Sequence, residues 1–382
     1  MSWKKVRLGD YVNIVSGFAF DSQSFNTDKL GMPLVRIRDV GKNTTETYFS
    51  STYRDEFVID NGDILVSMDG EFRIAEWKGG KALVNQRVCW LKSKDKFNFD
   101  ERYMLYCLPN KLKSIENSTS FVTVKHLSVK SINEILIPLP DLQTQKHIAS
   151  ILDKADALRQ QNRQLLAYYD ALLQSTFIEM FGDPVENPKG WEVVKIRDLI
   201  TEAKYGTSKP AEESGKFKYM RMNNLTYNGF WDFSSIKYIN LENSEIPKYV
   251  IRRGDIVFNR TNSKELVGKT AVYNFDEPVA IAGYLIRVRT NEKAVPEYIW
   301  GYLNSRYGKA TLRNMCKSIV GMANINAQEL QDIDIFLANI ARQIEYAKIV
   351  QHIESQKQQA KSSLAESEAL FQGLLASYFG DN

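Results

Sequence analysis

The sequence is poor in the residues that carry chemistry. Its three histidines, His126, His147 and His352, have no ligand spacing among them, so each reads as a surface or packing residue and no metal site is expected. The three cysteines, Cys89, Cys107 and Cys316, are odd in number, widely separated and never paired as CxxC. That pattern gives no disulfide framework and fits a reducing cytoplasm. No apolar run reaches the length of about eighteen residues that a membrane helix needs, so no membrane contact is expected. The opening MSWKKVRLGD lacks an apolar core, and no signal peptide is expected there.

Catalytic motifs are missing as well. No NPPY-type motif for methylating a base amino group is present, and NPKG at Asn187 is not one. No glycine-rich stretch follows a strand with the spacing expected for S-adenosylmethionine. GKT at Gly268 lacks the earlier glycine of a phosphate-binding loop, since Ser263 stands there. Metal-assisted hydrolysis would need clustered carboxylates with a lysine. Asp141 is better placed as a helix cap, and Glu192 falls in an opening strand. The expectation is a protein without catalysis and without a cofactor.

What is present is an ordinary globular composition on a long chain. The 382 residues are 43% hydrophobic and 25% charged, which suits two or three folded domains better than one core. Net charge is only +4, from 50 Lys and Arg against 46 Asp and Glu. Such an excess is compatible with a polyanion partner, but only local clustering of the cations could argue for one.

The chain is written twice. ALLQSTFIEMFGDP from Ala171 aligns without a gap on ALFQGLLASYFGDN at the end, so that Phe181 falls on Phe379 at an offset of 198. WKKVRLGD at Trp3 answers WEVVKIRDL at Trp191 at an offset of 188, and NGDILVS at Asn61 answers RGDIVFN at Arg253 at 192. ILIPLPDLQTQKHIASIL at Ile135 answers IDIFLANIARQIEYAKIV at Ile333, again at 198. The offset grows in steps, as it does when insertions fall in loops between persistent elements.

Each copy has two parts. Residues 1–140 and 185–338 carry short β-type segments broken by Gly, Asn, Asp and Ser, with occasional helical patterns such as PEYIWGYLNS at Pro296. In YLIRVRT, Tyr284, Ile286 and Val288 share one face while Arg287 and Arg289 share the other, which is strand alternation. Residues 141–184 and 339–382 each read as one long helix, starting in the first copy at the N-cap Asp141 and stopping at Gly182 before Pro184. Its about 39 residues would make a rod of roughly 58 Å.

Along that helix a seven-residue frame places Ile148, Ala155, Asn162, Tyr169 and Thr176 at one position. Ile151, Leu158, Leu165 and Leu172 fall at the other, widened by Leu152, Leu166 and Leu173. The second helix offers Tyr346, Ile353, Ala360, Ser367 and Leu374, with Ile349, Gln356, Ser363 and Leu370. Neither stripe could stay exposed, so the two helices are expected to pair, through an interface including Ile148, Ile151, Leu158, Leu165, Leu172, Ile349, Ile353, Leu370 and Leu374. Polar residues such as Asn162 and Gln356 in such a seam fix register at a cost in stability. The predicted fold class is α+β: two mixed α/β domains in pseudo-two-fold repeat, separated by two long coiled-coil helices.

At IPLPDLQTQKHIASILDKADAL, residues 137–158, and at the two FGD helix ends, the chain resembles the specificity subunit of type I restriction-modification systems. VSGFAFDSQSF with PLVRIRDV, and YGTSKPAEESGKFKYMRMNNL, are similar to target-recognition domains of that family. In the second copy IFLANIARQ replaces IPLPDLQTQ and loses both prolines, which leaves open whether that junction keeps the same geometry. The resemblance implies a non-catalytic reader of double-stranded DNA. Each variable region would bind one half of a bipartite site, and the two helices would form an antiparallel coiled-coil rod that sets the spacer and docks two methyltransferase subunits. Restriction/translocase subunits would join through the complex. Half-sites one helical turn apart lie about 34 Å centre to centre, a spacing that a rigid separator fixes and a flexible linker would not.

Base edges are read by Arg, Lys, Asn and Gln, and phosphates take Lys, Arg, Ser, Thr and backbone amides. In the first copy the glycine-rich stretch after NGDILV offers Arg73, Lys78, Lys81, Asn85, Gln86 and Arg87. In the second, FNRTNSKELVGK offers Asn259, Arg260, Asn262 and Lys264, and KYGTSKP adds Lys204, Tyr205, Thr207, Ser208 and Lys209. TSFVTVKHL and SIVGMANIN precede the helices at equivalent positions and bring Thr123, Lys125, Gly321 and Asn324 near a backbone. Taken singly, each of these residues is more often a solvated loop group. Two other readings stay open: a structural coiled-coil scaffold, and a restriction or methylation enzyme acting alone.

Overall fold

The computed structural model describes residues 3–118, 125–319 and 322–380. The chain divides into two compact units, Met1–Gln161 with Leu364–Asn382, and Asn162–Ser363.

In the first unit Val12–Ser16, Val88–Ser93, Ile64–Ser67 and Ile74–Glu76 form an antiparallel sheet in that order. Side chains alternate across it. Cys89 and Leu91 join Ile64 and Val66 in one core, while Trp90 joins Leu65 and Val84 in another. The second core is closed by a five-stranded sheet, ordered Phe25–Asn26, Tyr48–Phe49, Met32–Val35, Ala82–Val84 and Val58–Ile59. Lys5–Arg7 pairs antiparallel with Leu136–Pro138, so the opening strand meets the strand that leads into the long helix.

The second unit repeats this plan. Ile200–Tyr205, Leu285–Thr290, Ile256–Asn259 and Thr270–Val272 form its four-stranded sheet, and Glu192–Lys195 pairs with Asp334–Leu337. A second sheet runs Lys237–Ile239, Phe217–Met220, Val279–Ile281, Val250–Ile251. Ile286 and Val288 face one core, and Arg287, on the opposite face, is fully buried because the second sheet covers that face too. Its guanidinium donates to the carbonyls of Pro247 and Val250 and pairs with Glu202 at 2.9 Å. Tyr284, just before this strand, is 54% exposed.

Leu142–Phe181 and Ile340–Phe379 are the two long helices, 40 residues each. Their starts are built alike despite the missing prolines. Gln145 donates to the carbonyl of Pro140 at 2.9 Å and accepts from the Asp100 N–H. Gln343 donates to Ala338 at 2.8 Å and accepts from the Val295 N–H. Both glutamines are fully buried. Asp141 accepts from the Thr144 N–H at 2.9 Å and Asn339 from the Ala341 N–H at 2.8 Å, so each start keeps a side-chain cap. The carbonyl satisfied by glutamine comes from residue i−5 in both, and proline is not needed to present it.

The ends correspond as well. Gly182, at φ +88°, donates its N–H to the Ile178 carbonyl, and Gly380 donates to Ala376. In the second unit Phe181 packs against Tyr298 and Tyr346, with ring centroids 4.8 and 5.4 Å away, and its carbonyl accepts from the Trp191 indole at 2.9 Å. In the first unit Phe379 packs 5.4 Å from Tyr103, in the core that Trp3 also joins. The close of the sequence therefore meets its beginning in one core. Asn382 itself lies outside the described residues.

Within each unit the helices run antiparallel: Arg159 meets Glu368 in the first, and Arg342 reaches the Met180 carbonyl in the second. The seam frame is half as read. Tyr346, Ile353, Ala360 and Ser367 are buried as expected, but the alternate position is Val350, Lys357 and Phe371, one residue beyond the expected Ile349, Gln356 and Leu370. Likewise Ile148 and Ala155 are buried with Leu152 and Leu173, and Ile151 and Leu172 are half-buried. Leu158, Leu165 and Leu370 stay 45, 39 and 51% exposed and lie off the packed stripe. Ile353 is buried, and Leu374 and Ile349 are half-buried.

The displaced positions are held by charge. Arg159 bonds Glu368 at 2.9 Å and lies 3.8 Å over the Phe371 ring, with Asp156 as a second partner. Lys357 pairs with Asp170 and lies 3.7 Å over Phe230. The offset of 198 maps Arg159 onto Lys357 and Asp170 onto Glu368. One cation–carboxylate pair is thus present twice, once in each unit.

Candidate nucleic-acid interface

Each unit carries a surface built on one backbone frame. In the first, Gly17 donates its N–H to Val88 and Phe18 donates to Val84; in the second, Gly206 donates to Leu285 and Thr207 to Ile281. A Cβ on Gly17 would collide with the carbonyl oxygens of Val84 and Asn85, and one on Gly206 with those of Ile281 and Ala282. Glycine is what allows the two chain segments to cross this closely. Met68 then donates to the Arg87 carbonyl and Leu127 to Met68, matched by Arg260 to Tyr284 and Ile325 to Arg260. Asp69 bridges to His126 as Thr261 bridges to Asn324. Two different sets of side chains thus stand on the same bonds.

On the second unit the frame surrounds a cleft of about 780 Å³. Thr207, Ser208, Lys209, Arg260 and Asn324, all expected from sequence, line it together with Arg221, Asn223 and Tyr284. The Arg260 guanidinium lies 4.7 Å over the Tyr205 ring, and its Nε donates to Asn324 Oδ1 at 3.4 Å. Tyr205 is fixed in turn by the Ala327 N–H, which donates to its hydroxyl at 2.9 Å. Lys209 pairs with Glu245 at 2.6 Å, a hydrogen bond that raises the lysine and lowers the carboxyl from their ordinary values. Lys204 pairs with Glu202. Burial pushes the Glu202 carboxyl up, but Lys204, Arg287 and Arg289 together hold it below the ordinary range.

Two expected residues of this unit lie below the surface. Asn259 is fully buried in its strand, where its side-chain oxygen accepts from the Thr261 N–H, so its side chain faces the core. Thr207 is buried at 4% exposure, with its hydroxyl accepting from the Lys209 N–H. Ser208 and Lys264 are exposed, and Asn262 is half-buried in the strand paired with Ala323.

On the first unit Arg87 is half-exposed, with Nε 3.2 Å from Asp69 and Nη1 3.5 Å from His126 Nδ1. His126 meets the other Asp69 oxygen at 2.6 Å. Asn85 and Gln86 adjoin this group on the Phe18 side, where Arg54 lies 5.3 Å over the Phe18 ring. The Lys125 carbonyl accepts from the Gly70 N–H beside Asp69. Arg73 pairs with Glu71 and Lys78 with Glu76, while Lys81 is exposed at the start of a strand. Thr123 and Gly321 lie outside the described residues.

Sequence reading missed Arg221, Tyr284, Asp69 and His126. A signal for one was available: the offset of 198 that aligns the helices also places His126 on Asn324. Among the described residues no group of three or more His, Cys, Asp or Glu is placed to hold a metal, and no helix is long and apolar enough to cross a membrane.

The type I restriction modification DNA specificity domain matches residues 1–167 and again 188–366, one copy for each half of the chain. The chain is 28% identical over 412 aligned residues to the type I restriction enzyme EcoBI specificity subunit of Escherichia coli, covering 99% of this chain and 85% of that one. It is 24% identical to the MjaVIII specificity subunit of Methanocaldococcus jannaschii, over 92% and 86% of the two chains. Among solved structures, a type I restriction-modification S subunit from M. genitalium matches with a TM-score of 0.63 at 16% identity, covering 100% of this chain and 97% of the other. With both halves matched and the fold shared, the chain belongs to the type I restriction-modification DNA specificity family.

Proposed function

We propose that the chain is the DNA-reading subunit of a cytoplasmic type I restriction-modification complex and does no chemistry itself. Residues 1–140 and 185–338 each bind one half of a split double-stranded site. The two helices, 141–184 and 339–382, set the spacer and dock two methyltransferase subunits, through which restriction/translocase subunits join. The observation that carries this reading is the pair of equivalent surfaces: one backbone frame, repeated, presenting two unlike sets of hydrogen-bonding side chains. A bipartite, unsymmetrical site asks for that arrangement. A plain scaffold would not need Arg, Asn and Tyr gathered at matched positions.

The chain assembled with its methyltransferase subunits is expected to protect a split sequence, with affinity falling steeply as salt rises because neutralised phosphates release counterions. Exchange of residues 1–140 for those of another family member should change one half-site alone. Binding indifferent to sequence, or indifferent to salt, would sink the proposal.

A further inference from the structure

We infer that Arg87 and Arg260 each read a guanine, so that each half-site holds one G·C pair fixed by its own arginine. The inference rests on the DNA-reading function proposed above and names the chemistry of that same site.

The two arginines stand at neighbouring, not identical, positions of the shared frame. Arg260 stands where the first unit has Met68, and Arg87 stands where the second has Tyr284. Each nevertheless ties its Nε edge to the paired residues that close the frame: Arg260 to Asn324, Arg87 to Asp69. A second neighbour steadies each one: Tyr205 lies beneath the Arg260 guanidinium, and His126 donates its Nδ1–H to Asp69, bracing the carboxylate with which Arg87 pairs. Among the described residues, both terminal nitrogens of Arg260 and Nη2 of Arg87 have no hydrogen-bond partner. The result in both units is a planar donor fork, held at its base and open at its tip.

That geometry selects among the bases. In the major groove guanine alone presents two acceptors, N7 and O6, side by side. Adenine offers an acceptor beside a donor, cytosine a donor, and thymine one acceptor beside a methyl group. A fork of donors with no acceptor therefore matches guanine and meets a mismatch elsewhere. Holding the fork before DNA arrives removes the entropy of ordering a long side chain. The neighbouring lysines differ: Lys204 and Lys209 present compact ammonium charges with no planar fork, and suit phosphate contacts that carry no sequence.

The test uses the full chain with its methyltransferase subunits and a pool of randomised DNA duplexes, sequencing what is retained. The wild type should recover a split sequence with a fixed G·C pair in each half. Arg260→Lys should lower the preference for guanine about 10- to 100-fold at one position of the half-site read by residues 185–338, with the other half unchanged. Arg87→Lys should do the same in the opposite half. Both keep the charge, and Arg260→Gln and Arg87→Gln, which also keep a polar head, should lose the same guanines. A half-site with no fixed G·C pair, or variants of unchanged melting temperature that keep the wild-type preference, would overturn the inference. A wild-type complex that recovers no split sequence would overturn the proposed function instead, so the two failures are distinguishable.

Discussion

The two units share their bonds and differ in their side chains. At the centre of the four-stranded sheet, Trp90 in one unit stands at the register position of Arg287 in the other, both against the second sheet. Tryptophan fills that space by apolar burial. Arginine fills it because Glu202 pairs with its charge and two backbone carbonyls accept from its terminal nitrogens, while its Nε has no hydrogen-bond partner among the described residues. On the surface the exchange is freer: Asp69 and His126 answer Thr261 and Asn324. Backbone pairing sets the frame, and the residues mounted on it vary in chemistry without disturbing it. A protein that must read two unlike half-sites with one fold needs that independence.

The largest expected difference between the units lies at the helix ends. Phe181 is fully buried among Phe177, Tyr298 and Tyr346, whereas Phe379 is 8% exposed and meets Tyr103 and Tyr378. Phe181→Ala should cost about 3–5 kcal/mol, and Phe379→Ala should fall at or below the lower end of that range. Denaturant midpoints of the two variants measure this. Equal losses would mean that the ends are loaded alike and that the extra rings around Phe181 add nothing.

A pH experiment separates the units next. Burial pushes the Lys309 ammonium down to about 8, with Arg313 and Lys269 adding to the effect, while in an unfolded chain it titrates near 10.4. Between those values the unfolded state holds the extra proton, so stability of the second unit should rise with pH from about 8 to about 10.4, by roughly 3 kcal/mol. Lys309→Met should remove most of that rise, leaving the smaller contributions of Lys269 and Lys357, which burial also pushes down. In the first unit the buried side chain at the comparable helix is an acid. Glu116 is held below the ordinary carboxylate range by Lys113 and by the Phe72 N–H, and it contributes stability that is lost as pH falls through its folded value. Proteolysis of each unit across pH checks both directions. A first unit that also gained stability at high pH would break the contrast.

These contrasts also mark what could be read in advance. The duplication, the helix limits and the first seam position were legible, because they depend on period and on Gly, Pro and Asp at the junctions. The second seam position was not. It carries Arg159 and Lys357, and a hydrophobic pattern counts a cation as surface and slides to Leu158 or Gln356 beside it. Only the tertiary neighbours explain the burial, since Phe371 and Phe230 come from distant parts of the chain. Asn259 was placed wrongly for a related reason: its residue type suggested a polar loop contact, but both faces of its strand are covered. At the candidate interface the residue types were legible but their grouping was not. Arg260 was separated from Lys264 only when the backbone set one on Tyr205 and the other outside the cleft.

The smallest expected effect bears on the seam itself. Lys357 has one hydrogen-bonded carboxylate, Asp170, whereas Arg159 has two, Glu368 and Asp156. Asp170→Asn leaves an ammonium with no hydrogen-bonded carboxylate in a site that already lowers its proton affinity by burial. Glu368→Gln leaves Arg159 still bonded to Asp156 and stacked on Phe371. Asp170→Asn should therefore cost about 1–2 kcal/mol at neutral pH and Glu368→Gln less than about 1 kcal/mol, both carboxylates being partly exposed. The penalty for Asp170→Asn should shrink as pH rises, because Lys357, whose proton affinity burial lowers, can shed its proton. Replacing the pair together, as Lys357→Met with Asp170→Leu, should be neutral or stabilising, since a buried ion pair often gives way to apolar packing without loss. If that double variant were instead as unstable as Asp170→Asn, the pair would be contributing net stability, and its repetition in both units would reflect strength rather than a choice of register.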